Sequence, residues 1–321
     1  MAILARARFV ALSVLVAVVM SGCDEVLDGL GTQQAEGKKN VTASLPPKAP
    51  REGNTVRVAT FNIQVFGTSK LAKPNVVDTL TKAIRRFDLV AVQEVRSKDD
   101  TILPRFVEKL NADGSRYDFV IGPRLGRTTS TEQYAYVFDT QRIEVDRNSV
   151  ATVGDPGDRL HREPLVARFR VRGPPSTQAF TFTLINIHTD PDETTGELNA
   201  LDDVFAAVQR NSAGEDDVIL LGDLNVDDRH LGELGRLPNI DWAIAGVPTN
   251  TRGNKTYDNI VFDRKKTVEY TGTFGVLSLQ NEFGLSLEEA LEVSDHLPVW
   301  AAFSATEGTA GSLAGGGDSP Q

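Results

Sequence analysis

The sequence predicts α and β layers packed on one another, on three observations. Apolar runs of strand length recur between Thr55 and Ser304. Between some of them the apolar residues repeat at helical spacing instead. The chain has 321 residues, 40% of them hydrophobic and with no repeat of fixed period, which suits one large domain.

Taken in order, strands are predicted at 56–61, 89–95, 119–121, 134–138, 165–171, 180–187, 218–221, 259–262 and 298–303. A helix follows the first strand, with Val76, Val77, Leu80 and Ile84 on one face. Pro74 stands near its start, where the missing N–H costs no hydrogen bond. A second helix is predicted at 198–210, with Leu201, Val204, Phe205 and Val208 on its apolar face. A shorter helical pattern covers 103–110. Phe61-Asn62 and Gly222-Asp223-Leu224-Asn225 are similar strand ends in the two halves, which points to a duplicated architecture.

The flanks have a different composition. Arg6 and Arg8 precede an apolar stretch at 9–19, short for a membrane span but of signal-peptide length. Met20-Ser21-Gly22-Cys23 then resembles a bacterial lipobox, although leucine is more usual where Met20 stands. The expectation is a lipoprotein signal over 1–22 and a lipid on Cys23. A flexible, partly proline-rich tether follows over 23–54, then a domain over 55–304 and a disordered Gly/Ser-rich tail over 305–321. This places the protein in the bacterial cell envelope, facing periplasm or exterior. Cys23 is the only cysteine, so no disulfide forms within the chain. The net charge of −10 excludes a simple basic nucleic-acid module but not an enzyme that grips its substrate briefly.

Function is carried by strand ends. Asn62 follows Phe61, Glu94 closes 89–95, Asp223 and Asn225 follow 218–221, and Asp295-His296 precedes the last strand. His188 ends another strand and Asp258 opens one. Alone, each reads better as a solvated strand end or a turn than as a ligand. Together they offer carboxylate and amide oxygens at one end of the sheets, a hard-ligand set suited to Mg²⁺, Mn²⁺ or Ca²⁺. A carboxylate beside an imidazole fixes its tautomer and raises its basicity. Phosphate-ester chemistry fits such a site. His161 and His230 lie in polar loops and are assigned no role.

The order and spacing of these motifs resemble the endonuclease/exonuclease/phosphatase superfamily, and within it the deoxyribonuclease I-like members. The likeness runs from Thr55 to Phe303 and includes Phe61-Asn62-Ile63-Gln64-Val65-Phe66-Gly67, Gly122-Pro123-Arg124-Leu125-Gly126-Arg127 leading to Glu132, and His161-Arg162-Glu163-Pro164. The resemblance implies a four-layer αββα sandwich of two mixed sheets with outer helices. It implies a metal-dependent endonuclease that hydrolyses DNA by acid–base catalysis. By position, Glu132 and His188 match one carboxylate–imidazole pair, and Asp258 and His296 the other. Asn62, Glu94, Asp223, Asn225 and Asp295 match the metal- and phosphate-binding set, while Arg96, Arg127, Arg162 and Tyr257 match DNA-contacting positions. Asp158 and Glu163 match one structural calcium site, and Thr249 and Thr251 partly match another.

The residues alone leave open which imidazole is base and which acid; the resemblance implies His296 as base and His188 as acid. The implied cofactor is Mg²⁺ or Mn²⁺, with Ca²⁺ as a further ion. The expected partners are DNA and, through the lipid, a membrane, with the chain acting as a monomer. Ser130 stands where the family has an aromatic that stacks in the groove, so grip on duplex DNA is expected to rest on phosphate contacts. Another phosphodiesterase or phosphatase of the superfamily, acting on a lipid headgroup or small phosphate ester, is the alternative. A non-catalytic binding lipoprotein ranks last, because the matched acid, base and metal positions are intact.

Overall fold

The first strand shows how the layers are built. In β1 (Thr55–Phe66), Val56 and Val58 face one core while Ala59, Phe61 and Ile63 face another. This is the two-residue period of a strand buried on both sides. The computed structural model describes residues 53–129, 131–212 and 214–308. The signal segment, Cys23, the tether to residue 52, Ser130 and the tail from residue 309 lie outside the described residues.

The remaining strands are β2 (Leu89–Val95), β3 (Tyr117–Ile121), β4 (Gln133–Asp139), β5 (Ile143–Thr152), β6 (Leu165–Val171), β7 (Thr181–His188), β8 (Val218–Asp223), β9 (Ile240–Trp242), β10 (Asp258–Asp263), β11 (Tyr270–Val276) and β12 (Val299–Ser304). The helices are α1 (Thr68–Leu71), α2 (Pro74–Ile84), α3 (Ile102–Leu110), α4 (Thr194–Asn211), α5 (Leu279–Phe283) and α6 (Leu287–Val293). Every strand and helix expected from periodicity is present. Three strands were not expected: β5, β9 and β11. All three are sheet edges. An edge strand need not be apolar on both faces and is commonly blunted with charge. The mostly polar, partly exposed β5 and the Thr- and Gly-bearing β11 read accordingly as loops.

One sheet has the order β11-β12-β1-β2-β4-β3 and the other β5-β6-β7-β8-β10-β9. Both run through the same succession of directions, with a single parallel pair, β1 with β2 and β7 with β8, at the centre. The duplication anticipated from strand ends is therefore real at the level of topology. Its equivalences differ from the expected ones: the end of β1 corresponds to the end of β7, and the end of β2 to the end of β8.

Three apolar clusters make four layers. Val58, Leu89, Tyr136, Leu184, Leu221 and Phe303 belong to the core between the sheets. Phe61, Val90 and Val92 pack with Val76, Leu80 and Phe106 of α2 and α3 on one outer face. Ile185, Ile187 and Leu220 pack with Leu201 and Phe205 of α4 on the other. This is the αββα sandwich. Among the described residues, no helix is long and apolar enough to cross a membrane.

At Gly222 the backbone adopts φ 156°, and a Cβ there would lie 1.8 Å from the Ile187 carbonyl oxygen across the central parallel pair. Only glycine allows β7 and β8 to approach at this point. Gly222→Ala is expected to destabilise the domain by about 3 kcal/mol, the upper end of overpacking penalties. Urea unfolding of the two proteins checks this, and a loss under about 1 kcal/mol would show that the pair spreads without cost.

Candidate active site

Strand alternation puts most of the site in place. In β7, Leu184 and Asn186 face the core between the sheets, so His188 does too. In β8 the same parity carries Leu221 to Asp223, in β10 Ile260 to Asp258, and in β1 Val58 to Asn62. Glu132, two residues before Tyr134, sits on the same face. These side chains converge where the sandwich opens at one end.

Glu94 is the exception. Leu89 and Ala91 face the inner core, so strict alternation would send Glu94 to the helix side with Val90 and Val92. The backbone turns left-handed at Glu94 (φ 63°), and the pairing of β2 slips beyond Val92. That irregularity re-aims the carboxylate into the opening. Gln64 and Val65 at the end of β1 and Asn225 beyond β8 are left-handed as well (φ 43°, 49° and 52°). The amide of Val65 then donates to Glu94 Oε2 at 2.7 Å. Lys70 holds this loop. Its ammonium donates to the Ile63 carbonyl at 3.0 Å, to the Val293 carbonyl at 2.9 Å and to the carbonyl of Gln64. Burial pushes its pKa down to about 8.

Two carboxylate–imidazole pairs face each other. His188 Nδ1 is 2.9 Å from Glu132 Oε1, and His296 Nδ1 is 2.9 Å from Asp258 Oδ2. With Nδ1 engaged, each Nε2 turns inward, and both meet the same atom. Asp223 Oδ2 lies 3.4 Å from His188 Nε2 and 3.3 Å from His296 Nε2, and it accepts from Asn62 Nδ2 at 3.0 Å. The Asn62 amide also donates to Glu94 Oε1 at 3.2 Å, while its own oxygen accepts from the Gln64 N–H at 2.9 Å. So Asn62 presents N–H rather than oxygen to the carboxylates. It was expected among the metal ligands, and here it ties two of them together.

The supports are buried and polar. Thr249 donates to Asp258 Oδ2 at 2.7 Å, and Thr251 donates to the Ser294 carbonyl at 2.6 Å. Both hydroxyls, expected near a calcium ion, brace the Asp258–His296 pair. The Tyr134 hydroxyl accepts from the His188 N–H at 3.0 Å. One layer below, Thr60, Gln93 and Asn186 bond across the gap between the sheets, with Gln93 Nε2 2.7 Å from Asn186 Oδ1.

Electrostatics follow from this crowding. Burial disfavours charge on His188, but Asp223 and Glu132 outweigh it and raise the imidazole. His296 is raised well above its ordinary value, since Asp258 and Asp223 likewise overcome burial. Burial also opposes the charge on Glu132, yet His188, Arg162 and Arg96 hold it below the usual carboxylate range.

The opening is a cavity of about 350 Å³, lined by Glu94, Arg96, Arg162, His188, Asp223, Asn225 and His296 together with Thr128, His161 and Asp190. Arg96 spans Glu94 and Glu132 at 3.2 Å each, and Arg162 lies 3.3 Å from Glu132. Both were expected to contact DNA. Arg162 is only 4% exposed, so it acts first as a brace for the Glu132–His188 pair. Tyr257 tilts over His296 at 5.7 Å between ring centres. Asn225 donates to the Thr189 carbonyl at 2.8 Å.

Three expectations fall apart from this cluster. Arg127 lies outside the cavity lining, paired with Asp158 at 3.1 Å and Glu193 at 2.7 Å. Asp158 is thereby engaged by an arginine. Among the described residues, neither it nor Glu163 belongs to a cluster of acidic or histidine ligand atoms within reach of one ion. Asp295 is outside the lining too and acts on Lys70 and His296 through its charge. Conversely, His161 and Asp190 border the cavity with Nδ1 and Oδ2 3.5 Å apart. His161 was passed over because its surroundings are polar, although it opens the His161-Arg162-Glu163-Pro164 motif.

Residues 59–296 match the Endonuclease/Exonuclease/phosphatase family. The chain belongs to that family. It is similar to deoxyribonuclease gamma of Rattus norvegicus, 33% identical over 76% of this chain and 83% of that protein. It is also similar to deoxyribonuclease-1-like 1 of Homo sapiens, 35% identical over 76% and 82%. In fold it is similar to the catalytic domain of human Nocturnin, with a TM-score of 0.53 and 17% identity over 78% of this chain and 93% of that one. A humanized D. rerio TDP2 gives a TM-score of 0.55 and 16% identity over 78% and 98%. Membership of that family and the similarity to deoxyribonucleases make the chain a phosphodiester hydrolase.

Both imidazoles should titrate above the ordinary value of 6.5 in the metal-free protein. The raised folded-state values contribute stability that is full below pH 6.5 and is lost as pH rises through them. A ¹⁵N NMR titration in chelator should show both rings still protonated above that pH, and Asp223→Asn should lower both. Rings that titrate below 6.5 would show that burial wins over the carboxylates.

Proposed function

We propose that this chain is a metal-dependent endonuclease that hydrolyses phosphodiester bonds of DNA outside the cytoplasm, as a monomer held to a membrane by a lipid on Cys23. The observation that carries the reading is the convergence of two carboxylate-held imidazoles on Asp223 at the mouth of an open cavity. The similarity to deoxyribonucleases over most of their length supports DNA as substrate.

Glu94 and Asp223 face the cavity with carboxylate oxygens, and Asn225 lines it with them. This hard donor set fits Mg²⁺ or Mn²⁺ better than a thiol-seeking metal. A bound ion there offsets charge building on the phosphate oxygens. The protein's own groups do the rest. His296, aligned by Asp258, takes the proton of the attacking water through Nε2. His188, aligned by Glu132, returns a proton through Nε2 to the leaving oxygen. Both rings are raised in the metal-free protein, and a cation held beside Asp223 would oppose that charge, so His296 could start neutral as the base while His188 stays charged as the acid. Arg96 and Arg162 line the wall where the anionic phosphate enters.

In a plasmid-nicking assay with the full chain, we expect Mg²⁺-dependent nicking and its complete loss in chelator. His188→Ala and His296→Ala should each lower kcat by about 10²–10⁴-fold. Glu94→Gln should lose most activity while the domain stays folded. Full activity in excess chelator overturns the metal role. Hydrolysis of a sphingomyelin or phosphoinositide panel, with DNA untouched, replaces this reading with the lipid or small-ester one.

The envelope location rests on Arg6, Arg8, the apolar stretch and the lone cysteine. Cys23→Ser should release the protein from the membrane fraction or block its processing. Unchanged partitioning and unchanged mass would remove the anchor from the proposal.

A further inference from the structure

A second group of carboxylates lies at the opposite end of the sandwich. Asp217 immediately precedes β8, whose other end carries Asp223, about 20 Å away at the rise of a strand. Glu269 immediately precedes β11, and Glu307 follows β12. Asp217, Glu269 and Glu307 each place one carboxylate oxygen within 4.8 Å of the others. Glu215 also adds negative charge there. Neither the active site nor any motif of the chain uses these residues.

Two features set the group apart from a solvated acidic patch. Asp217 and Glu269 are 2% and 3% exposed, and Asp217 Oδ1 and Glu269 Oε2 are buried with no hydrogen-bond partner. Thr267, 1% exposed, faces the Asp217 carboxyl, and its hydroxyl favours the charged form there. Buried polar atoms are nearly always satisfied, and two carboxylate oxygens orphaned around one point indicate a missing positive partner. Among the described residues no lysine or arginine forms an ion pair with the three carboxylates. Lys266, close in sequence, pairs with Asp216 at 3.3 Å. Burial and the charges of Glu269 and Glu215 push Asp217 up to about 9, in line with a cluster short of positive charge.

We infer that Asp217, Glu269, Glu307 and Thr267 form a second metal site, which takes a hard divalent cation of the calcium type. The donors are all oxygens from separate segments with no regular geometry, which Ca²⁺ tolerates and Mg²⁺ does not. Its consequence is structural. Asp217 leads into the sheet of β7 and β8, whereas Glu269 and Glu307 flank strands of the other sheet. The ion staples the two sheets at the end remote from the catalytic opening. It also fixes the segment after β12, where the Gly308 N–H donates to Glu269 Oε1 at 2.6 Å.

The test is Ca²⁺ binding and thermal unfolding of the full chain, stripped with chelator and titrated with Ca²⁺ or Mg²⁺. Ca²⁺ should raise the unfolding temperature by about 5 °C at saturation, with less effect from Mg²⁺. Equilibrium dialysis should show that Glu269→Gln and Asp217→Asn each lose a bound Ca²⁺ relative to wild type. That ion should be retained in Glu94→Gln, which separates the site from the catalytic one. Both variants relieve repulsion, so in chelator they should unfold no earlier than wild type. Loss of the Ca²⁺ response in a folded variant therefore supports the site. Equal Ca²⁺ stoichiometry in wild type and Glu269→Gln overturns it. So does a wild type that responds to pH but not to Ca²⁺, since the carboxylates then share a proton.

Discussion

A single carboxylate oxygen, Asp223 Oδ2, is the point on which the active end of this protein depends. Two imidazoles and one amide address it from different segments of the chain. Each imidazole is held from behind by a carboxylate of the opposite sheet. Glu132 precedes β4 in one sheet and pairs with His188 of β7 in the other, whereas Asp258 of β10 pairs with His296, which precedes β12. The two dyads are therefore also the polar ties between the sheets at the end where the apolar core stops. Catalytic geometry and the mutual position of the sheets are the same constraint.

That constraint is met at a backbone cost. Strand alternation delivers His188, Asp223, Asp258 and Asn62 to the inner face without strain, but it cannot deliver Glu94. The chain uses left-handed conformations at Gln64, Val65, Glu94 and Asn225 to turn their side chains and amides toward the opening. Such residues cost roughly 1–3 kcal/mol each and persist only where the surroundings over-determine them. Here the surroundings are the Lys70 ammonium on the carbonyls of the β1 loop, the Asn62 amide and the Val65 N–H on Glu94. A loop held at so many points keeps its carboxylate placed before substrate arrives, which is the preorganisation that electrostatic catalysis requires.

The arginines show how the same residue type divides between tasks. Arg96 and Arg162 are spent largely inside the protein, where they offset the charge of Glu94 and Glu132. They still face the cavity and can meet an anionic ester there. Arg127 is held by Asp158 and Glu193 on the rim. With a net charge of −10, the chain has no broad basic field, so attraction for a polyanion is concentrated at the cavity wall.

The sequence by itself determined the central strands, the main helices and the strand ends that carry the chemistry. Strands buried on both faces must be continuously apolar, and a polar residue ending such a run stands out. The edge strands β5, β9 and β11 were illegible for the converse reason: one side faces solvent, and their composition is that of a loop. The strand ends also foretold that His188, Asp223 and Asp258 gather at one end of the sheets. Only the tertiary structure decided that both imidazoles meet one oxygen of Asp223, and that Asn62 turns its nitrogen to the carboxylates. It alone placed Arg162 beneath a dyad, set Arg127 aside, and brought His161 and Asp190 to the cavity. These are contacts between residues distant in sequence, set by how two sheets stack and by a few left-handed residues. Local pattern has no term for either.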